Sequence, residues 1–141
     1  MILKYYELNK LNFGITNFLL FHGKNEGYKN EEIEKITKKL GKKVVSYDEK
    51  QIIDNIEEFF ENNLNKSLFE DEKIILINRC TDKIIKVIED LIDRNVNETI
   101  LILNADTLEK KSKLRNFFEK AKTQLISIAF YPDNFDILFK I

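Results

Sequence analysis

The sequence predicts a single α/β domain built on a doubly wound, mostly parallel, five-stranded sheet. Three observations predict it. Five short apolar runs, rich in β-branched residues and without a polar face, recur along the chain, as strands covered on both sides require. Amphipathic helical patterns fill the gaps between them, and strand alternating with helix calls for crossover connections and a parallel sheet. The 141 residues hold no internal repeat and no low-complexity linker, so the whole chain reads as one domain long enough to bury a core.

The first run is Phe18-Leu19-Leu20-Phe21, bounded by Gly23. A short amphipathic segment with Tyr5, Tyr6, Leu8 and Leu11 precedes it. After it, Asn30 is placed to cap a helix with Glu31 and Glu32 in its first turn. That helix turns Ile33, Ile36 and Leu40 inward, carries Lys38 and Lys39 in its last turn, and stops at Gly41. Acids first, bases last and a terminal glycine suit the helix dipole and its caps.

Val44-Val45-Ser46-Tyr47 is the second strand. Asp48 with Gln51 three residues on has capping-box spacing. Ile52, Ile53, Ile56, Phe59, Phe60 and Leu64 then form one stripe, predicting one helix. Ile74-Ile75-Leu76-Ile77 is the third strand, and Thr81 caps a helix with Ile84, Ile85, Ile88, Leu91 and Ile92 inward. The fourth strand is Ile100-Leu101-Ile102-Leu103, followed by a helix with Leu114, Phe117, Phe118 and Ala121 on one face. The run from Leu125 to Phe130 is the fifth.

Composition narrows the function classes. With 23 basic and 24 acidic residues the net charge is -1, and the signs are interleaved, unlike the one-faced basic excess of a free-standing DNA binder. No apolar run approaches the ~18–20 residues of a membrane span. The first ten residues do not read as a signal peptide. Cys80 is the single cysteine, which leaves no internal disulfide and no multi-cysteine metal cluster. A cytoplasmic location, no membrane partner and no cofactor are the expectations.

In a sheet of this kind ligands bind beyond the carboxyl ends of the strands. The loop there reads Gly23-Lys24-Asn25-Glu26-Gly27-Tyr28-Lys29-Asn30. It has the position of a phosphate-binding P-loop but not its chemistry. A working P-loop needs glycine, four residues, then Gly-Lys-Ser/Thr, so that backbone N–H groups, an ammonium and a magnesium-holding hydroxyl meet the phosphates. Here Gly23 and Gly27 are one residue too close, Tyr28 follows Gly27 where lysine is needed, and Glu26 puts negative charge into the cradle. The strand that would carry a metal-binding aspartate ends Ile77-Asn78-Arg79. Gly23, Lys24 and Gly27 are therefore read as a degenerate P-loop not expected to bind nucleotide, a turn that keeps its glycines for geometry.

Other chemistry-bearing residues have plainer readings beside their functional ones. His22 ends a strand and reads as a structural histidine. Cys80 precedes a helix start, where a thiolate could be stabilised, but with one histidine in the chain an inert thiol is expected. Asp106 reads as a helix N-cap before it reads as a metal ligand. A phosphoacceptor layout fails because the first strand leads into His22-Gly23-Lys24 and the third ends in Asn78. Lys110, Lys111, Lys113 and Arg115 read as a solvated helix face. Leu68 and Phe69, between a striped helix and the charged Glu70-Asp71-Glu72-Lys73, either close the core or stand exposed as an anchor for a partner's pocket.

Taken in order, these segments resemble one family. The strand and loop from Phe18 to Gly27, the Glu-rich helix after it, Ser67-Leu68-Phe69 before the strand of isoleucines, the Lys-rich helix ending Asn116-Phe117-Phe118 and the exit at Tyr131-Pro132 resemble the N-terminal domain of the delta subunit of the bacterial DNA polymerase III clamp loader. The resemblance implies an AAA+-type domain, spanning residues 1–141, that lacks a functional P-loop and catalyses nothing itself, within the polymerase III holoenzyme. It implies that Leu68 and Phe69, supported by Leu64 and Ser67, plug into a hydrophobic pocket of the sliding clamp (the beta subunit) and help open the ring for loading onto primed DNA. It implies further that a small second domain and a helical collar, which contact the other loader subunits, lie outside the chain, and that DNA is met only indirectly in the full complex. The alternative reading is a divergent nucleotide-binding P-loop NTPase-like protein using the loop 23–27.

Overall fold

The computed structural model describes residues 1–13, 18–63, 73–94, 99–121 and 124–130. Its strands are β1 (Ile2–Lys4), β2 (Phe18–His22), β3 (Lys43–Asp48), β4 (Lys73–Asn78), β5 (Ile100–Asn104) and β6 (Leu125–Ala129). They form one sheet in the order β1-β6-β2-β5-β4-β3, and every pairing is parallel.

The expected five strands are all present, with one more at the edge. Ile2 pairs with Ser127 and Lys4 with Ala129, where the sequence suggested only an amphipathic segment. A three-residue strand is too short to show a period, and Ile2 is 62% exposed, so no buried run marks it. A 3-10 helix, Tyr5–Lys10, follows and places Leu8 in the core.

The continuous apolar runs follow from burial on both faces. All five residues of β2 are buried, and successive side chains point to opposite sides. Phe18 and Leu20, with Ile75, Ile77, Leu101 and Leu103, face one core. Leu19 and Phe21, with Ile74, Ile102, Ile126 and Ile128, face the other. On the second face lie α1 (Glu26–Leu40), through Ile33 and Ile36, and the 3-10 helix. On the first lie α2 (Glu49–Asp54), α3 (Ile56–Asn63), α4 (Ile85–Asp93) and α5 (Lys113–Glu119), through Ile52, Phe59, Ile88, Leu91, Leu114 and Phe118. The sheet is doubly wound as the alternation predicted.

Two helix boundaries differ from the sequence reading. The first helix starts at Glu26, not after Asn30, and its cap is Asn25, whose Oδ1 accepts from the Tyr28 N–H at 3.1 Å. Gly27 reads as a loop residue but lies in the first helical turn, where backbone N–H groups have no intrahelical partner to lose. The far end behaves as expected: Gly41 adopts φ +63°, and its N–H donates to Thr37 O at 2.9 Å.

The stripe running on from Ile52 is not one helix. It breaks at Asn55 (φ -150°), whose backbone N–H donates to Ile52 O at 3.2 Å and whose side-chain amide donates to Glu58 Oε2 at 2.7 Å. The capping-box spacing holds, with the Asp48 N–H donating to Gln51 Oε1 at 2.8 Å. Thr81 also caps as expected, though over a 3-10 turn, Asp82–Ile84, that leads into α4.

Among the described residues, no helix is long and apolar enough to cross a membrane.

Candidate functional site

β2, β4 and β5 end on the same side of the sheet in His22, Asn78 and Asn104. Beyond β4 and β5 opens a crevice of about 600 Å³ whose walls include Glu26, Asp48, Asn78, Arg79, Asn104 and Asp106. Three of these six side chains are carboxylates. The guanidinium of Arg79 is 84% exposed and stands 3.7 Å from Asp48. Arg79 itself has φ +57°, an uncommon conformation for a residue with a Cβ.

The loop after β2 is tied down by its neighbours. The Gly23 N–H donates to Asp106 O at 3.3 Å, the Ala105 N–H to Phe21 O at 2.8 Å and the Phe130 N–H to His22 O at 2.7 Å. Gly23 adopts φ +116°, and a Cβ on it would lie 2.1 Å from Phe130 O. Glycine is thus required here by the close approach of the backbone leaving β6. Lys24 is exposed. Gly27 has no such constraint: a Cβ would meet only Asn25 Oδ1, at 3.9 Å.

The ammonium at this site belongs to Lys29, one turn into α1. The side chain is fully buried. Nζ donates to Glu26 Oε1 at 2.8 Å, Asn104 Oδ1 at 2.9 Å and Ala105 O at 3.0 Å. Its three donors match these three acceptors, the condition under which a buried charge is tolerated. Asn104 completes the set by donating to Asn78 Oδ1 at 3.1 Å. One chain of polar contacts therefore joins α1, β5 and β4 beneath the crevice.

His22 is 5% exposed. Burial, with the nearby Arg115 and Lys29 cations, pushes its pKa down to about 4 against the opposing pull of Glu119. It is a neutral residue of the interior, as the structural reading expected. Cys80 is buried, its thiol donates to Ile77 O at 3.2 Å, and burial pushes its pKa well up, with Glu49 adding to the effect. That is an inert thiol rather than a nucleophile. The adjacent Thr81 is held by buried Glu49, which accepts from both its N–H and, at 2.7 Å, its hydroxyl.

Asp106 caps no helix, contrary to the sequence reading. Its Oδ1 accepts from the Thr107 N–H at 2.8 Å, and the next helix begins at Lys113, capped by Ser112. An aspartate that finds a backbone donor next to it closes a turn as readily as it starts a helix. Of the basic cluster, Lys110, Lys111 and Lys113 are exposed. Arg115 is only partly exposed: it pairs with Glu119 at 2.8 Å and donates to Leu108 O. Among the described residues, no group of three or more His, Cys, Asp or Glu is arranged to hold a metal ion.

Gly23, Lys24 and Gly27 thus fall at one end of the sheet as the sequence placed them, the first in a turn and the last in a helix. Leu64, Ser67, Leu68 and Phe69 lie outside the described residues. The sequence reading missed Lys29 and Asn104. A signal existed: Glu26 and Lys29 have ion-pair spacing, and Asn104, like Asn78, is a polar residue ending an apolar strand.

No protein-family model matches the chain, and no curated protein sequence matches it. Among solved structures it is similar to the Bacillus subtilis DNA clamp loader delta protein (YqeN), with a TM-score of 0.60 and 12% sequence identity. The likeness covers 90% of this chain and 41% of that one. This chain therefore has a clamp-loader-like α/β fold and spans less than half the length of the protein it matches.

Proposed function

We propose that the chain is a sliding-clamp-binding domain of a clamp-loader delta subunit, working in DNA replication by binding and not by catalysis. The observation that carries this reading is the likeness of fold to a clamp loader delta protein. The order of the motifs supports it, Ser67-Leu68-Phe69 falling between α3 and β4.

In this reading Leu68 and Phe69 are the anchors, with Leu64 and Ser67 supporting them. Burying one leucine and one phenylalanine contributes roughly 1.5–3 kcal/mol each. Losing both weakens binding by about two to four decades. The work of the domain is differential binding: it favours the strained, open form of the ring over the closed one. The other loader subunits are met through parts of the protein beyond this chain, and DNA only through the assembled complex.

The loop 23–27 is degenerate in this reading and takes no nucleotide. Two contacts support that. Phe130 O occupies the space beside Gly23, and the Lys29 ammonium is spent on three protein acceptors.

The test is titration calorimetry of the chain against the sliding clamp of its own organism, beside the Leu68→Ala/Phe69→Ala variant. Binding by the wild type and its loss in the folded variant are expected; absence of wild-type binding sinks the reading. A thermal shift with ATP and magnesium separates the alternative, since a nucleotide-binding protein is stabilised by its ligand.

A further inference from the structure

The 3-10 helix Tyr5–Lys10 and α1 leave a groove of about 310 Å³ between them, at the lower end of ligand-sized clefts. Tyr5, Tyr6, Phe13 and Tyr28 line it together with Lys35 and Lys39. Packing accounts for three of the four rings. Tyr5, Phe13 and Tyr28 rest on the core of that face, and Tyr5 meets Tyr28 edge-on with centroids 5.1 Å apart. Tyr6 is different. It belongs to neither core, meets the Tyr5 ring at 5.4 Å between centroids and is 66% exposed. A ring this open keeps a free face, and burial gives no reason for it.

Positive charge gathers on the same wall. From Lys35 to Lys43 the chain carries five lysines and no acid. Lys35, Lys38 and Lys39 stand exposed on the last turns of α1. Lys35 is held by Glu32 at 3.3 Å and Glu31 at 3.7 Å. Lys39 makes no ion pair among the described residues. In the groove two ammoniums face one carboxylate, that of Glu32, so it favours an anion. The helix dipole explains lysines at this end of α1, but not the open ring beside them. Ring and ammonium together suit a nucleic-acid strand: a base stacks on the ring face, and the phosphate meets the cation. An acidic peptide would use the same charges, but its anchors need an enclosed, desolvated pocket, and Tyr6 stands out from the surface.

We propose that this groove is a stacking site for single-stranded nucleic acid, with Tyr6 taking a base and Lys39 the adjoining phosphate. A duplex does not suit it, because the bases there are stacked on one another. With so few free ammoniums the contact is weak in the isolated chain, in keeping with a net charge of -1. It gains weight where an assembly holds a strand close by, through effective concentration. Clamp binding is not required for it.

The experiment titrates the chain against a fluorescein-labelled thymidine oligonucleotide of ~12 nucleotides, by anisotropy at low salt. Wild type, Tyr6→Leu, Tyr6→Phe, Lys39→Gln and the control Lys110→Gln are compared, each with its Tm. Tyrosine emission is followed with the unlabelled oligonucleotide, since the chain has no tryptophan and three of its five tyrosines line the groove. Binding with quenched tyrosine emission is expected. Tyr6→Leu is expected to weaken it about five- to thirtyfold, and Tyr6→Phe, which keeps the ring, to bind as the wild type does. Lys39→Gln is expected to lower the steepness of the salt dependence by about 0.7 in log–log slope, and Lys110→Gln to leave it unchanged. Tm is expected to stay constant, because the substituted side chains are exposed. Absence of wild-type binding at low salt overturns the proposal, and so does wild-type affinity in Tyr6→Leu. Displacement of the oligonucleotide by poly-glutamate at equal charge also overturns it and marks a surface for acidic peptides. If Tyr6→Leu does not fold, Lys39→Gln decides against Lys110→Gln, and equal effects of the two overturn the proposal.

Discussion

The Nζ of Lys29 lies 2.9 Å from Oδ1 of Asn104, 75 residues further along the chain. One is on the first helix and the other at the tip of β5. The contact ties the first helix to the tip of β5 through a fully buried positive charge. Lys29→Met keeps most of the buried stem but leaves Asn104 Oδ1 and Ala105 O without a donor. Glu26, 58% exposed, regains water. A loss of about 2–4 kcal/mol is expected, measured by urea denaturation of the two proteins with unchanged slope.

The two glycines of the loop respond in opposite senses. Gly23→Ala sets a methyl against Phe130 O and forces a positive φ on alanine. It is expected to cost several kcal/mol, on the order of the worst single substitutions, or to prevent folding. Gly27→Ala meets nothing closer than 3.9 Å and replaces glycine in a helix, so a gain of up to about 1 kcal/mol is expected. Thermal denaturation of both variants checks the pair, and equal effects would contradict it.

His22 gives stability a pH dependence of known sign. Its pKa of about 4 in the folded protein lies below the unperturbed 6.5, so the unfolded chain takes up the proton first. The stability due to neutral His22 is complete above about pH 6.5 and is lost as pH falls towards 4. The loss approaches roughly 3 kcal/mol by linkage. Carboxylates titrate in the same range, so the quantity to measure is the difference in unfolding free energy between wild type and His22→Gln from pH 7 to 4. A difference that stays flat would contradict the burial of the imidazole.

Cys80 offers a chemical readout. Buried and with its pKa raised, it is expected to resist iodoacetamide at pH 8 in the native protein and to react at the rate of a free thiol in denaturant. Mass spectrometry of timed samples decides, and rapid native labelling would show that the thiol is reached by solvent.

The strands were legible where burial on both faces leaves only apolar side chains. The run from Phe18 to Phe21 and that from Ile100 to Leu103 admit no other reading once helical stripes flank them. β1 was not, because three residues at an edge carry no pattern. The sequence points to Asn30 as the cap of α1 because Gly27 reads as loop, whereas a first helical turn tolerates glycine. Gly23 reads as a glycine kept for geometry, and Phe130 O supplies the reason. The spacing of Glu26 and Lys29 marks an ion pair but not its burial, which depends on Asn104 and Ala105, about 75 residues away in the chain. Leu68 and Phe69 stand out by resemblance and placement alone, and they lie outside the described residues.

The sheet order carries a consequence for synthesis on the ribosome. Phe18 of β2 is flanked by Leu101 of β5 and Leu125 of β6. The earliest of the inner strands to emerge is thus the one whose two partners emerge last. Until then its apolar side chains have no place in the sheet, and an unpaired apolar strand invites wrong partners. β3 and β4, adjacent in both chain and sheet, can pair early and wait. The nascent chain is therefore most exposed to aggregation, and most in need of a chaperone, while β2 is out and β6 is still in the exit tunnel.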